Sequence, residues 1–227
     1  TNGQIFVPGF SLDSYIAVFD TMALAIINTY VYSFVAILVI VILGMLIAYI
    51  TTRRKNWLTD VIDTLTMFPY IIPGSVLGIT LLLAFNDDPI ILSGTAMIII
   101  ISLVIRRLPY TLRSSSAILY QISPSVEEAS ISLGASPLRT FFKITAVMMI
   151  PGVLSGAILS WITCINELSS SVILYTGGTK TMSVAIYTEV IRASYGTAAA
   201  LSTILTVTTI LALLLFFKVS GSKEVSL

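Results

Sequence analysis

The feature that most constrains this chain is the long run from Thr21 to Thr52, which contains no charged side chain. A bilayer core is about 30 Å thick, and a helix needs roughly 20 mostly apolar residues to cross it. The composition agrees, because apolar residues make up 56% and charged residues 10% of the 227 positions. A soluble domain of this size could not cover that much apolar surface. The chain is therefore predicted to be an all-α, polytopic membrane protein in contact with the lipid bilayer.

Composition also narrows the possible ligands. Twelve basic and eleven acidic residues give a net charge of +1, which argues against binding to nucleic acid. There is no histidine and a single cysteine, Cys164, so no metal site or haem is expected in this chain. One cysteine also excludes an intrachain disulfide.

Five apolar stretches are predicted to span the membrane, within one transmembrane domain over residues 1–227. They cover about residues 32–50, 61–85, 90–105, 147–174 and 198–217. Pro69 and Pro73 interrupt the second stretch, and backbone groups freed by a proline need cover from neighbouring helices or water. These two prolines therefore mark a candidate wall of a translocation path.

Basic residues are distributed unequally between the two sides of these spans, and loops rich in Lys and Arg lie in the cytoplasm. If the loop after the first span is inside, two basic residues, Lys180 and Arg192, are outside. The other ten are inside: Arg53, Arg54, Lys55, Arg106, Arg107, Arg113, Arg139, Lys143, Lys218 and Lys223. The N-terminus is thus predicted outside and the C-terminus inside. Residues 1–20 show no signal-peptide pattern. The simplest explanation for an N-terminus on the outside is therefore a preceding span that is absent from this chain.

The longest polar stretch is the inside loop 106–146, and it contains helix signals. Ser123-Pro124 is a good start, since serine can cap a helix and proline fits its first position. Glu127-Glu128 follows near the first turn, where the helix dipole favours acids. Gly134 suits the end of that helix, and Ser136-Pro137 repeats the start signal. A short helix, a glycine turn and a second helix are predicted. Capping signals alone leave an ordinary connecting loop as an equally good interpretation.

The spacing within this loop resembles the EAA loop of permease subunits of ATP-binding-cassette (ABC) importers. That family has Glu-Ala-Ala, three residues, Gly, nine residues, Ile, one residue and then Leu-Pro. Here Glu128-Ala129-Ser130 is followed at the same intervals by Gly134 and Ile144. The chain departs from the pattern at Ser130 and at Ala146-Val147, where the family has Leu-Pro.

The resemblance implies a type I ABC importer permease fold and a docking role for the short helix. In that family the helix before the glycine fits a cleft of the cytoplasmic ATPase subunit. The resemblance therefore implies that this chain is no enzyme and binds no cofactor, and that ATP and Mg²⁺ are held by the partner ATPase. The coupling residues it implies are Glu127, Glu128, Ala129, Leu133 and Gly134.

The resemblance extends over about residues 11–217 and is strongest to the ferric-iron branch. The segments that carry it are Arg106–Tyr110, Asn166–Ser169 and residues 178–187. It implies a prokaryotic inner membrane, a second permease half that is identical or homologous, and an external binding protein that delivers the substrate. Polyamine and phosphonate importers share the EAA loop and stay as alternatives. A passive channel or membrane scaffold is the competing class, but no filter or charged pore helix is evident.

Asn166 and Glu167 lie within the fourth apolar run. An acid at membrane depth costs about 2.5–3.5 kcal/mol on insertion scales and usually faces protein or water. One interpretation is a pair of path residues at a break in the helix. The other is that Glu167 lies at the outer edge or pairs with a neighbour. Two GxxxG pairs predict close helix packing within the subunit, or a dimer face: Gly74 with Gly78, and Gly152 with Gly156.

Overall fold

A computed structural model describes residues 11–220, and side chains up to residue 218. Every regular element in this part of the chain is helical. The α-helices are α1 (Asp13–Arg53), α2 (Trp57–Ile71), α3 (Gly74–Ala84), α4 (Ala96–Gln121), α5 (Pro124–Ser132), α6 (Pro137–Thr140), α7 (Ala146–Ile165), α8 (Ser171–Leu174), α9 (Met182–Ile191) and α10 (Tyr195–Ser220). A π-helical turn, Phe141–Thr145, joins α6 to α7.

Helix α1 is longer than the first predicted span. Its 41 residues extend about 60 Å at 1.5 Å per residue, roughly twice the thickness of a bilayer core. Asp13 lies in its first turn and Arg53 in its last, which is the arrangement that the helix dipole favours. The predicted span 32–50 is the C-terminal half of this helix.

The second predicted span, 61–85, consists of two helices. α2 begins with a capping box in which Asn56 Oδ1 accepts from the Thr59 amide at 2.9 Å and Thr59 Oγ1 accepts from the Asn56 amide at 2.9 Å. Pro73 lies in the break between α2 and α3, as predicted. Pro69 does not interrupt the helix, because it lies inside α2, two residues before the end.

The next two predicted boundaries also differ from the structure. α4 begins only at Ala96 and continues past Arg106 to Gln121, so residues 106–121 are helical and do not belong to a loop. Arginine is a good helix former, and it marks the end of an apolar run without ending a helix. α7 ends at Ile165 and not near residue 174, and α8 follows after a short break. The fifth predicted span, 198–217, lies within α10.

By length and composition, three helical stretches of the described chain can cross a membrane. They are Asp13–Arg53, Pro137–Ile165 and Tyr195–Lys218, with a fourth if α2 and α3 are counted together. The sequence predicted five spans because it took 90–105 as a separate crossing. In the structure only residues 96–105 of that stretch are helical, and they belong to α4, which carries Arg106, Arg107 and Arg113 along its length. The side of the membrane on which these arginines lie stays a prediction, and Lys223 of the predicted inside set lies outside the described residues.

The described chain divides into two compact units. Unit 1 comprises residues 11–34, 74–102 and 165–215, and unit 2 comprises residues 35–73, 103–164 and 216–220. The single permease domain over 1–227 stays a prediction. An apolar cluster lies in unit 2 and is formed by α1, α4 and α7 with the residue after α4: Ala48, Leu112, Leu119, Ile122, Met149 and Val153.

Glycines allow close helix packing in both units. A Cβ at Gly152 would lie 2.5 Å from Ile118 Cγ2, and one at Gly156 would lie 2.6 Å from Thr111 Cα, so α7 and α4 are in backbone contact in unit 2. In unit 1 a Cβ at Gly78 would lie 3.1 Å from the Ser170 carbonyl oxygen. This is the close packing within the subunit that the spacing predicts.

Candidate functional site

The candidate site is the short helix α5 with its two ends. Ser123 Oγ accepts from the Ser125 amide at 3.4 Å, and Pro124 occupies the first helical position. Glu127 lies in the first turn, where the dipole stabilises a carboxylate. The start that the sequence predicts is therefore the start that the structure has.

Gly134 ends α5 in the left-handed conformation, with φ +89°. The Gly134 amide donates to the Ile131 carbonyl at 2.9 Å, and the Ala135 amide donates to the Ser130 carbonyl at 3.1 Å. This pair of bonds is a Schellman motif. A Cβ at Gly134 would meet no atom within 4 Å, so the backbone conformation requires glycine here and a lack of space does not.

Glu127 anchors α5 to the end of α1 within unit 2. Arg53 Nε donates to Glu127 Oε1 at 2.9 Å, and Tyr49 Oη donates to Glu127 Oε2 at 3.1 Å. Arg53 Nη2 also donates to the Ile122 carbonyl, just before α5, at 2.8 Å. The side chains of Arg53 and Glu127 are 13% and 14% exposed. Glu127 therefore faces the protein, and both of its carboxylate oxygens are bound.

A second contact fixes the polypeptide that follows α5. Ser130 Oγ and Thr140 Oγ1 lie 2.9 Å apart, which links α5 to α6. Phe141 packs edge to face on Tyr49, with ring centroids 4.8 Å apart. Tyr49 thus holds both Glu127 and the π-helical turn. No sequence pattern indicated a role for Tyr49, and Arg53 was predicted only to end a span. No local signal links them to Glu127, because more than seventy residues separate them.

The outer side of α5 contacts no other element among the residues that the structure describes. Glu128 and Ala129 are exposed, Ile131 is 47% exposed and Leu133 is 90% exposed. The predicted coupling residues thus share one helix and its cap but divide into two groups. Glu127 and Gly134 fix the position and the end of the helix, while Glu128, Ala129 and Leu133 are exposed. An anchored helix that presents one acid and several apolar groups can transmit a force to a partner bound on that side.

The candidate path residues lie elsewhere. Glu167 is 3% exposed and follows the end of α7 in unit 1. Its Oε1 accepts from the Ser170 amide at 3.0 Å and from Ser170 Oγ at 3.3 Å. Ser102 Oγ in turn donates to Ser170 Oγ at 2.8 Å. The structure has the helix break expected if Glu167 is a path residue. It also has a neighbouring partner, Ser170, as expected if Glu167 has a structural role.

The remaining candidate residues show different exposure. Asn166 is exposed beside the buried Glu167. Pro69 is half-buried and Pro73 is exposed, both in unit 2. Among the described residues, no group of three or more acidic or cysteine side chains is placed to hold a metal ion.

The helical architecture identifies the class of protein to which this fold belongs. The chain aligns with a solved bacterial ABC transporter that imports the acidic polysaccharide alginate, at a TM-score of 0.76 over 96% of this chain and 85% of that chain, with 15% sequence identity. The fold is thus that of an ABC importer permease. Residues 40–221 match the family described as the binding-protein-dependent transport system inner membrane component. The chain belongs to that family.

Individual relatives are consistent with this. The chain is 37% identical over 193 residues to the ferric transport system permease protein FbpB of Actinobacillus pleuropneumoniae, covering 85% of this chain and 28% of that protein. It is 27% identical over 212 residues to the putative 2-aminoethylphosphonate transport system permease protein PhnV of Salmonella paratyphi A, covering 91% of this chain and 78% of that protein. The chain thus spans just over a quarter of the length of the ferric relative. The family favours the importer class over a channel or scaffold.

Proposed function

We propose that this chain is a membrane-spanning subunit of an ATP-driven importer, with α5 as the helix that docks on a cytoplasmic ATPase. The observation that carries the proposal is the anchored helix. Glu127 is held by Arg53 and Tyr49, Gly134 fixes the helix end, and Leu133 is 90% exposed. ATP hydrolysis then belongs to the partner, and ATP and Mg²⁺ are held there.

The proposed cargo is ferric iron, delivered by an external binding protein. The support is the 37% identity to a ferric transport permease over 85% of this chain. The 27% identity to a phosphonate transport permease makes 2-aminoethylphosphonate the competing cargo. A second permease half, identical or homologous, completes the path, and the complex lies in the inner membrane of a prokaryotic cell.

The docking role is tested with Leu133→Asp, which places a charge on the exposed side of α5. We expect co-purification of the ATPase and uptake of radioactive ferric iron to fall together, while the membrane level of the subunit stays unchanged. Asn86→Asp, at an exposed position of unit 1, adds the same charge outside α5 and serves as the matched control. Full uptake and full ATPase binding in Leu133→Asp would remove the docking role.

The cargo is tested in the same cells by competition. An excess of unlabelled ferric iron should reduce uptake of the label, while an excess of 2-aminoethylphosphonate should not. Uptake of labelled 2-aminoethylphosphonate that depends on this chain would assign the other cargo and leave the docking role intact.

A further inference from the structure

A polar cleft lies in unit 2, and no residue of α5 lines it. It has a volume of about 150 Å³ and lies between the end of α1, the first half of α2 and the second half of α4. Side chains that line it include Lys55, Asp60, Asp63, Arg113 and Ser116. Neither the path nor the docking role uses this cleft.

The charges in the cleft are balanced but only half of them are paired. Arg113 Nη2 donates to Asp63 Oδ2 at 3.0 Å, which satisfies one cation and one anion. The Lys55 ammonium lies 5.6 Å from the centroid of the Tyr120 ring and has no carboxylate within ion-pair distance in the described chain. Within residues 11–220, the Asp60 carboxylate likewise receives no hydrogen bond or ion pair. One cation and one anion therefore face the same cleft without a partner of opposite charge.

This pattern selects a ligand that carries both charges. A purely anionic group would satisfy Lys55 and be repelled by Asp60, and a simple cation would do the reverse. A phosphate linked to a primary ammonium matches both, with phosphate at Lys55 and ammonium at Asp60. The hydroxyls of Thr52 and Ser116, which also line the cleft, are additional donors for phosphate oxygens.

The surface beside the cleft indicates where such a group comes from. Trp57, Val61 and Leu65 recur at four-residue intervals along α2, and are 72%, 44% and 53% exposed. Asp60 directly precedes Val61 of this apolar stripe on the same helix. Exposed tryptophan and apolar side chains next to a polar recess suit a lipid, with acyl chains along α2 and the headgroup in the recess. A free solute has no acyl chains that could pack against the apolar stripe.

We infer that this cleft binds the phosphoethanolamine headgroup of a membrane phospholipid, through Lys55 and Asp60. The inference goes beyond the proposed function, because it needs a membrane protein but neither an ATPase nor a cargo. Its test can therefore fail while transport is unaffected.

The experiment uses the protein purified with its native complex and exchanged into vesicles of equal parts phosphatidylethanolamine, phosphatidylglycerol and phosphatidylcholine. After mild detergent extraction, native mass spectrometry measures which lipid is retained. We expect phosphatidylethanolamine to be enriched. Lys55→Gln and Asp60→Asn should each lower its retention roughly five-fold, as expected for loss of one charge-assisted contact at an exposed site.

Matched controls separate this site from general effects of charge. Arg54→Gln and Asp87→Asn remove exposed charges outside the cleft lining and should leave retention unchanged. Lys55→Arg keeps the charge and should retain most of the binding. Both cleft variants alter exposed side chains by near-isosteric changes, so the protein should fold normally, which the yield of intact complex checks.

Three results would overturn the inference. Equal retention of the three lipids, or retention that neither variant lowers, would remove the site. Stronger retention of phosphatidylglycerol would show that Asp60 does not contribute. Displacement by soluble phosphoethanolamine at the same concentration as the lipid would show that the ligand is a free solute and that the apolar stripe has no part in binding.

Discussion

Glu127 and Glu167 are both shielded acids close to a helix end, yet they stabilise different things. Glu127 is bound by the side chains of Arg53 and Tyr49, which lie on another helix. Glu167 accepts from the amide and hydroxyl of Ser170, three residues along its own loop. The first acid joins two helices of unit 2, and the second stabilises a break in unit 1. A carboxylate can therefore serve tertiary contact or local backbone, and its exposure alone does not distinguish these roles.

The two regions also differ in what they present to a partner. Helix α5, which Glu127 anchors to α1, has Leu133 and Glu128 exposed. At the Glu167 break, the acid and Ser170 are buried and Asn166 is exposed. The α5 region thus presents exposed groups to an external contact, whereas the acid of the Glu167 region is buried.

The largest effect is expected for Gly134→Val. A left-handed conformation costs an L-residue roughly 1–2 kcal/mol, and more when it is β-branched, so the correct end of α5 becomes roughly ten-fold or more less populated. Uptake should fall by about the same factor while membrane insertion is kept, because no long apolar helix is altered. Uptake is measured at matched membrane levels of the two proteins.

Gly134→Asn is the control, since asparagine tolerates the left-handed region better than other residues. It should recover much of the lost uptake. Unchanged uptake in Gly134→Val would show that α5 is only a connector.

A smaller effect is expected at the Glu167 break, where two substitutions separate structure from path. Glu167→Ala leaves the buried Ser170 amide without its acceptor and should lower stability by about 1–3 kcal/mol. Glu167→Gln keeps an acceptor oxygen for the Ser170 amide and should lower stability less than Glu167→Ala does. Both are measured as thermal unfolding of the detergent-purified protein.

Transport by Glu167→Gln then decides the role of the acid. Loss of uptake in a protein of normal stability would place the carboxylate on the translocation path. Normal uptake would leave Glu167 with the structural role alone.

The two acids of α5 should differ in their contributions to stability and to docking. Glu127→Gln weakens a partly buried ion pair and should cost about 1–2 kcal/mol, between the values for exposed and buried pairs. Glu128→Gln alters an exposed side chain and should change stability by about 0.5 kcal/mol or less. Thermal unfolding measures both, and ATPase co-purification is followed in parallel. A contribution of Glu128 to docking predicts reduced co-purification at unchanged stability; equal destabilisation by both variants would contradict the division of α5 into an anchored and an exposed side.

The smallest effect on the protein is expected for single cysteine substitutions that test the predicted orientation in the membrane. A cysteine at the exposed Asn86 should react with an impermeant reagent from outside, and one at the exposed Ser132 only after permeabilisation. Background is low because the native Cys164 is buried. The reverse labelling pattern would place α5 on the outer face and remove its access to an ATPase.

Local signals in the sequence determined the helices and their ends where one residue type suffices. The uncharged run from Thr21 specified a long apolar helix, Ser123-Pro124 specified the start of α5, and Gly134 specified its left-handed end. These succeed because helix propensity, capping and positive φ depend on neighbours within a few residues. The coupling role that the resemblance to the EAA loop implies for these residues stays a prediction.

Tertiary structure decided which side of each element is used. The sequence placed Glu127 and Glu128 together, but only the contact with Arg53 and Tyr49 assigns the first to the anchor and the second to the surface. It took Arg106 as the end of a span, whereas α4 continues to Gln121. Arginine is itself a good helix former, so the end of an apolar run does not mark the end of a helix. The sequence therefore determined the local shape of the candidate site, and long-range packing determined the direction in which it faces.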